Sequence, residues 1–271
     1  MCASLRKRLK EEAEIGIFGG TGNYDPTILE DPKEIKVYTP YGATSDEIIV
    51  GWVKNRKVAF LARHGRKHTI PPHKVNFRAN VWAMKELGVT RIISPAAAGS
   101  LVPEVDMGEF VVCDQIIDRT LRRNITFYDG GVVCHVSMAD PFCGELRDVI
   151  IKTGKEMGLK IHDKGTFVCI EGPRFSTRAE SAMYRQWGGT VIGMTTWPEA
   201  PLAREVEICF CSVAMVTDKD VYGHEVVSAG LVAKTMRENV KNVNNLICAA
   251  IPKIPKERHC DCGKALDASI Q

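Results

Sequence analysis

An α/β fold, a single domain with a central mixed β-sheet flanked by helices, is predicted by three features of the sequence. Short apolar, β-rich runs recur and each closes on a small or polar loop. Between them lie stretches with the three- and four-residue spacing of amphipathic helices. One hairpin adds antiparallel pairing to what is otherwise a β–α alternation. The strand candidates in order are Ile15–Phe18, Ile48–Val53, Val58–Arg63, Arg91–Ser94, Phe110–Gln115, Thr166–Ile170, Val191–Met194 and Ile208–Thr217. The second and third flank the polar turn Lys54–Lys57 and form the hairpin. Phe77, Val81 and Met84 mark a first helix, and Leu146, Ile150, Thr153 and Met157 a second. Thr177 with Glu180 three residues on has capping-box spacing and starts a helix at about Arg178. A last helix over Ser228–Ala250 places Val232, Met236, Val240, Val243 and Ile247 on one face. Residues 1–271 read as one domain, with 252–271 as an appended cysteine-containing tail.

Bulk properties narrow the function. With 45% hydrophobic and 25% charged residues, the 271-residue chain can bury a sizeable core. Thirty-six Lys and Arg against 33 Asp and Glu leave a net charge of +3, too balanced for a nucleic-acid-binding surface. No window approaches the ~18 apolar residues of a membrane span, and the charged N-terminal stretch lacks a signal peptide's apolar segment. A cytoplasmic protein is expected. The ten cysteines fit that setting poorly. Cys113, Cys169 and Cys248 suit small buried positions. Cys260 and Cys262 sit in a polar tail that offers only His259 beside them, so disulfide or redox pairing ranks above a metal site, and no metal is expected.

In α/β sheets, ligands gather beyond the carboxyl ends of the strands, so the residues after each apolar run carry the functional argument. Gly19-Gly20-Thr21-Gly22 can wrap backbone N–H groups around an anion, although a tight turn explains the glycines equally well. Arg63 and His64 leave their strand as an oxyanion fork beside a second donor. Arg66 and Lys67 read as solvated loop residues, and His68 fits either role. Ala96 and Ala97 expose amides that can complete an anion cradle. Phe175 offers a ring that can stack on a base or pack in the core. Asp218 and Asp220, two apart at a strand end, can share one desolvated site in which a carboxyl pKa rises, as a general acid needs. An isolated D-x-D is also a common polar turn. Together, anion donors, a flat apolar group and a paired acid are the requirements for phosphorolysis of a nucleoside.

The segments GIFGGTGNYDP, ARHGRKHTIPPHKVNFRAN, AAAGSL, DQIIDRT, FYDG, MADPFC, IEGPRFSTRAES, GMTTWPEAPLAREVEICF and AMVTDKD together resemble the 5′-methylthioadenosine phosphorylases. These belong to the trimeric branch of the purine nucleoside phosphorylase superfamily, and the resemblance spans about residues 14 to 255. It implies cleavage of 5′-methylthioadenosine by phosphate to adenine and 5-methylthioribose 1-phosphate, with adenosine as a further substrate. Phosphate is a co-substrate, and no cofactor is implied. By the same resemblance Thr21, Arg63, His64, the backbone at Ala96 and Ala97, and Thr195 hold phosphate. Met194 lies against the ribose, and Phe175, Thr217, Asp218 and Asp220 line the purine. Ser176, Ala229 and Val232 shape the 5′ region, and His135 is lent to it by a neighbouring subunit of a homotrimer or dimer of trimers. Ala96 stands where many relatives have Thr, leaving backbone amides alone there.

Asp at 218 favours a 6-amino over a 6-oxo purine, because the exocyclic amine donates and a carboxylate accepts. Asp218→Asn is therefore expected to move activity toward inosine or guanosine. The runner-up is a phosphorylase of broader or 6-oxopurine specificity. A non-catalytic nucleoside or phosphate binder would lack the acids, and a nicotinamide oxidoreductase would need glycines in a different register. The cysteine content further suggests a heat-stable enzyme with intracellular disulfides.

Overall fold

The computed structural model describes residues 12–20, 26, 28–222 and 229–270, apart from the side chains of 222, 229 and 231–234. Among the described residues eleven strands form one sheet. In chain order they are β1 (Ile15–Gly19), β2 (Glu30–Ile35), β3 (Ile48–Val53), β4 (Arg56–Ala62), β5 (Arg91–Ser100), β6 (Phe110–Val112), β7 (Gln115–Arg119), β8 (Ile161–His162), β9 (Thr166–Ile170), β10 (Val191–Gly193) and β11 (Cys209–Asp218). The helices are α1 (Phe77–Glu86), α2 (Gly144–Glu156), α3 (Arg178–Gln186), α4 (Thr196–Glu205) and α5 (Ala229–Ala250). The strand path is β2-β3-β4-β1-β5-β10-β9-β7, with β11 on the other edge of β5, followed by β6 and β8. Parallel and antiparallel ladders both occur, as expected for a mixed sheet.

Strand β5 is the hub. On one edge it pairs with β1 only as far as Ile93, then with β10 at Gly99 and Ser100. Pro95 lies in the gap between, and it brings no N–H to a ladder. On the other edge β11 follows β5 from Cys209↔Arg91 to Asp218↔Gly99. The sheet therefore parts at Pro95, beside the carboxyl ends of β1 and β4. The β5–β11 register slips between Val216 and Asp218, a bulge that sets Asp218 beside Gly99.

Both faces of β11 are buried, and its side chains alternate accordingly. Phe210, Ala214 and Val216 join the core that includes Ala83, Met84 and Leu202 of α1 and α4. Cys209, Cys211, Val213 and Met215 join the core formed with Leu146, Ile150, Met236 and Val243 of α2 and α5. The capping box of α3 forms as its spacing requires, with Thr177 Oγ1 accepting from the Glu180 amide and Glu180 Oε2 from the Thr177 amide.

Three differences from the sequence reading have physical causes. Strand β2 (EDPKEI) is a polar, largely exposed edge containing a proline, so no apolar alternation announces it. Helix α4 carries two prolines and non-helical backbone at Trp197 and Pro198, which hide its periodicity. Strand β5 continues past Ser94 because β11 supplies a partner for each residue up to Gly99.

The C-terminal segment packs into the domain rather than trailing from it. Ile251, Ile254 and Cys262 are buried. Arg56, 4% exposed, donates to the Ile251 and Ile254 carbonyls, and Arg91, 2% exposed, to those of Pro255 and Lys256. Glu14 bridges both arginines, at 2.6 Å to Arg56 and 3.1 Å to Arg91. Glu14→Ala leaves two buried guanidinium groups without a carboxylate, with backbone carbonyls and the Thr90 hydroxyl as neutral partners, and a loss of about 2–3 kcal/mol of unfolding free energy is expected by denaturant titration. An unchanged unfolding midpoint would show that the neutral partners suffice.

Candidate active site

A cavity of ≈ 420 Å³ opens at the carboxyl ends of β4, β5, β9, β10 and β11. One end is built on Arg63, the residue after β4. Its side chain is 1% exposed and pairs with Glu199 of α4, itself 2% exposed. Nε reaches Glu199 Oε1 at 2.5 Å and Nη2 reaches Oε2 at 3.2 Å, a two-pronged match of guanidinium and carboxylate. Ser94 Oγ accepts from Arg63 Nη2 at 2.6 Å and donates to Glu199 Oε2 at 2.7 Å. Among the described residues Nη1 meets only the Pro95 carbonyl, at 3.3 Å, which leaves one N–H for a ligand. Gly20 is needed here, because a Cβ would lie 2.9 Å from both Arg63 Nη1 and the Pro95 carbonyl oxygen.

His64 stands next to it, 4% exposed. Its Nδ1 lies 2.8 Å from the Ile70 carbonyl. A carbonyl only accepts, so Nδ1 carries the proton. Burial, and then the charge of Arg63, push the imidazole down to about 4. His64 is therefore neutral and offers Nε2 as an acceptor, a correction to its expected role as a second donor. An anion meeting Nε2 must bring a proton or induce one on the ring. His68, with its ring 4.9 Å from that of His64, also lines the cavity, as do Ala97, Met194 and Thr195. Thr195 ends the β10 segment at the N-cap of α4, and its hydroxyl makes no capping bond. Ala96 is packed into the core and is not part of the cavity wall. Thr21 lies outside the described residues.

The other end holds the acids. Asp218 Oδ2 accepts from the Thr217 hydroxyl at 2.7 Å, and Oδ1 from the Asp220 amide at 2.9 Å. Burial pushes the Asp218 carboxyl above its ordinary range, and these two bonds pull it back only in part. Gly99 makes room for it, since a Cβ there would sit 2.6 Å from Asp218 Oδ1. Asp220 turns through a left-handed backbone (φ 44°), a region Asp tolerates. Its Oδ1 accepts from Ser176 Oγ at 3.2 Å, while the buried Oδ2 has no partner among the described residues. Ser176 is thus tied to Asp220 and, at 2.7 Å, to Ser181. Phe175, 43% exposed, closes the cavity with Pro173 and Pro72.

The structure brings Arg63, His64, Ala97, Phe175, Ser176, Met194, Thr195, Thr217, Asp218 and Asp220 around one cavity. His135 lies elsewhere, exposed, with its amide on the Ser269 carbonyl. Ala229 begins α5, but its side chain and that of Val232 are outside those described. Sequence reasoning missed Glu199 and Ser94. Neither carries a local signal, because each acts by meeting Arg63 across the fold.

Residues 14–252 match the Phosphorylase superfamily, and the chain belongs to it. It is 55% identical to an S-methyl-5′-thioadenosine phosphorylase of Thermofilum pendens, over 96% of this chain and 99% of that one. It is 52% identical to the protein of the same name from Nitrosopumilus maritimus, over 96% and 98% of the two chains. A methylthioadenosine phosphorylase from Schistosoma mansoni solved with adenine superposes with a TM-score of 0.90 at 35% identity, covering 95% of this chain and 97% of that one. A methylthioadenosine phosphorylase from an antarctic soil metagenomic library gives a TM-score of 0.91 at 41% identity, covering 97% and 93%.

Arg63→Lys keeps the charge but cannot satisfy both Glu199 oxygens and an anion, since an ammonium lacks the fork. A fall in inorganic phosphate affinity of about tenfold or more is expected by calorimetry, the worth of a charge-assisted hydrogen bond. In the same titration of the unaltered protein at mildly alkaline pH, phosphate binding should take up a proton, seen as buffer-dependent heat. Unchanged affinity in the variant would remove Arg63 from the anion site.

Proposed function

We propose that the chain catalyses phosphorolysis of 5′-methylthioadenosine, giving adenine and 5-methylthioribose 1-phosphate, with adenosine as a slower substrate. The observation that carries this reading is one cavity with a built anion end and, opposite it, a buried pair of carboxyls. Inorganic phosphate is the co-substrate, held by Arg63 Nη1, the Thr195 hydroxyl, His64 Nε2 and the backbone at Gly20 and Ala97. It sits beneath C1′ of the nucleoside, so the attacking oxygen needs no further encounter. As the C1′–N9 bond lengthens, positive charge grows on the sugar and phosphate's negative charge opposes it. A phosphate oxygen forms the new bond to C1′, and the bonding electrons of C1′–N9 pass to the purine.

The leaving purine then gathers negative charge, which Asp218 neutralises by giving a proton to N7. Its raised pKa suits it to hold that proton. Asp220 Oδ2, buried and without a partner among the described residues, accepts from the exocyclic amine at C6. A 6-oxo purine presents a second acceptor there and leaves the carboxylate unmatched. This division moves the specificity argument from Asp218, where the sequence placed it, to Asp220. Phe175 covers the base, and the apolar wall of Pro72, Pro173 and Met194 favours a methylthio group over a hydroxyl.

A homotrimer or dimer of trimers in a cytoplasmic setting belongs to the same reading. Val132, Val133 and Ile270 are exposed apolar side chains on and beside the segment that carries His135, as an interface would require. Among the described residues no helix is long and apolar enough to cross a membrane.

The test is phosphate-dependent adenine release from methylthioadenosine, adenosine and inosine, in the unaltered chain and in Asp218→Asn and Asp220→Asn. The order of efficiency should be methylthioadenosine, adenosine, inosine. Asp218→Asn should lose about a hundredfold or more in kcat/KM on methylthioadenosine, the range of general acid catalysis. Asp220→Asn should narrow the gap to inosine. A native preference for inosine would contradict the assignment of the acids.

A further inference from the structure

Arg123 lies behind the cavity and is not among the residues that line it. It follows β7, and its side chain is 2% exposed. A guanidinium so deep must place its donors, and this one places them on backbone carbonyls of two separate elements. Nη2 donates to the Ile170 carbonyl at 3.3 Å and to that of Glu171 at 2.8 Å. Nη1 donates to the Trp197 carbonyl. The Phe77 ring lies under the group, its centroid 5.1 Å from the guanidinium carbon. Nε makes no hydrogen bond among the described residues. Glu171 Oε1 stays 3.7 Å from it, while Oε2 accepts from the Leu121 amide at 2.7 Å.

These acceptors are carbonyls that secondary structure leaves over. In a regular helix the Trp197 carbonyl would meet the amide of residue 201, which is a proline and has none. The ladder from β9 to β10 ends at Cys169 and that to β7 at Ile170, so the Glu171 carbonyl lies past both. Each place carries one end of the site. Trp197 lies between Thr195, which lines the anion end, and Glu199, which holds Arg63. Glu171 opens the loop whose Pro173, Phe175 and Ser176 close the base end. That loop has little slack, since a Cβ on Gly172 would lie 2.6 Å from Met194 Sδ and 2.8 Å from Pro72 Cγ.

We propose that Arg123 is a positioning residue for phosphorolysis, fixing from behind the cavity the spacing between the start of α4, which serves phosphate, and the loop that covers the base. This role rests on the phosphorolysis reading and adds to it a residue that touches neither substrate. Spacing matters because the attacking phosphate oxygen must stand against C1′ of a nucleoside whose base is held at the far end. A planar fork can serve two elements at once. A lysine ammonium, a single point of charge, stays with one of them.

The test compares Arg123→Lys with the unaltered full chain. Arg123→Gln, which brings a planar amide and no charge to bury, serves if the ammonium prevents folding. At saturating methylthioadenosine and phosphate, kcat per folded chain should fall by about a hundredfold, the effect of misplacing reacting groups by an ångström. The dissociation constants of inorganic phosphate alone and of adenine alone, measured by calorimetry, should change by no more than about threefold, because each ligand meets one end only. An unchanged kcat would overturn the proposal. So would affinities for phosphate and adenine that fall as far as kcat, or failure of both variants to fold, since either result reduces Arg123 to a part of the fold. Absence of turnover in the unaltered chain is a separate outcome and would remove the phosphorolysis reading together with the role that rests on it.

Discussion

The buried ion pair of Arg63 and Glu199 is the constraint on which the site depends. Two full charges leave water here, and that is favourable only when the geometry is good and the remaining donors are met. Ser94 meets one, the Phe18 and Pro95 carbonyls meet others, and among the described residues one N–H of Nη1 is left over. The pair needs space inside a sheet, and the parting of β1 from β5 at Pro95 provides it. The interruption of the central ladder and the placement of the anion donor are thus one feature. Glu199 offsets most of the charge of Arg63, so the directed N–H, more than the net charge, defines this end of the cavity.

The opposite end follows a similar logic. A bulge in β11 turns Asp218 toward Gly99, and the missing side chain of Gly99 admits the carboxyl. Burial then raises its proton affinity, as a group that donates to a departing base requires. Asp220, two residues on, keeps one oxygen unmatched among the described residues. A ligand donor that meets such an oxygen supplies the hydrogen bond that a buried acceptor requires.

Much of this was legible in the sequence, because strand ends are marked by a change from apolar to small or polar residues. Arg63, His64, Phe175, Thr195, Asp218 and Asp220 all follow such changes, and the fold delivers them to one cavity. What could not be read was long-range. Glu199 sits in a proline-broken helix and gains its role from an arginine 136 residues away. The tautomer of His64 depends on the Ile70 carbonyl, which no motif encodes. The C-terminal segment looked appended because its own composition is polar. Its core contacts are made by a few residues, Ile254 and Cys262 among them, whose partners lie in α2, β11 and the buried arginines.

The most direct test of the central claim is a crystal structure of the chain with inorganic phosphate and a non-cleavable 5′-methylthio nucleoside bound together. Phosphate should lie on Arg63 Nη1, His64 Nε2 and Thr195 Oγ1, with Asp218 facing N7 and Asp220 Oδ2 facing the exocyclic amine of the base. Phosphate seated away from Arg63, or a base turned so that neither carboxyl meets N7 or the amine, would contradict it.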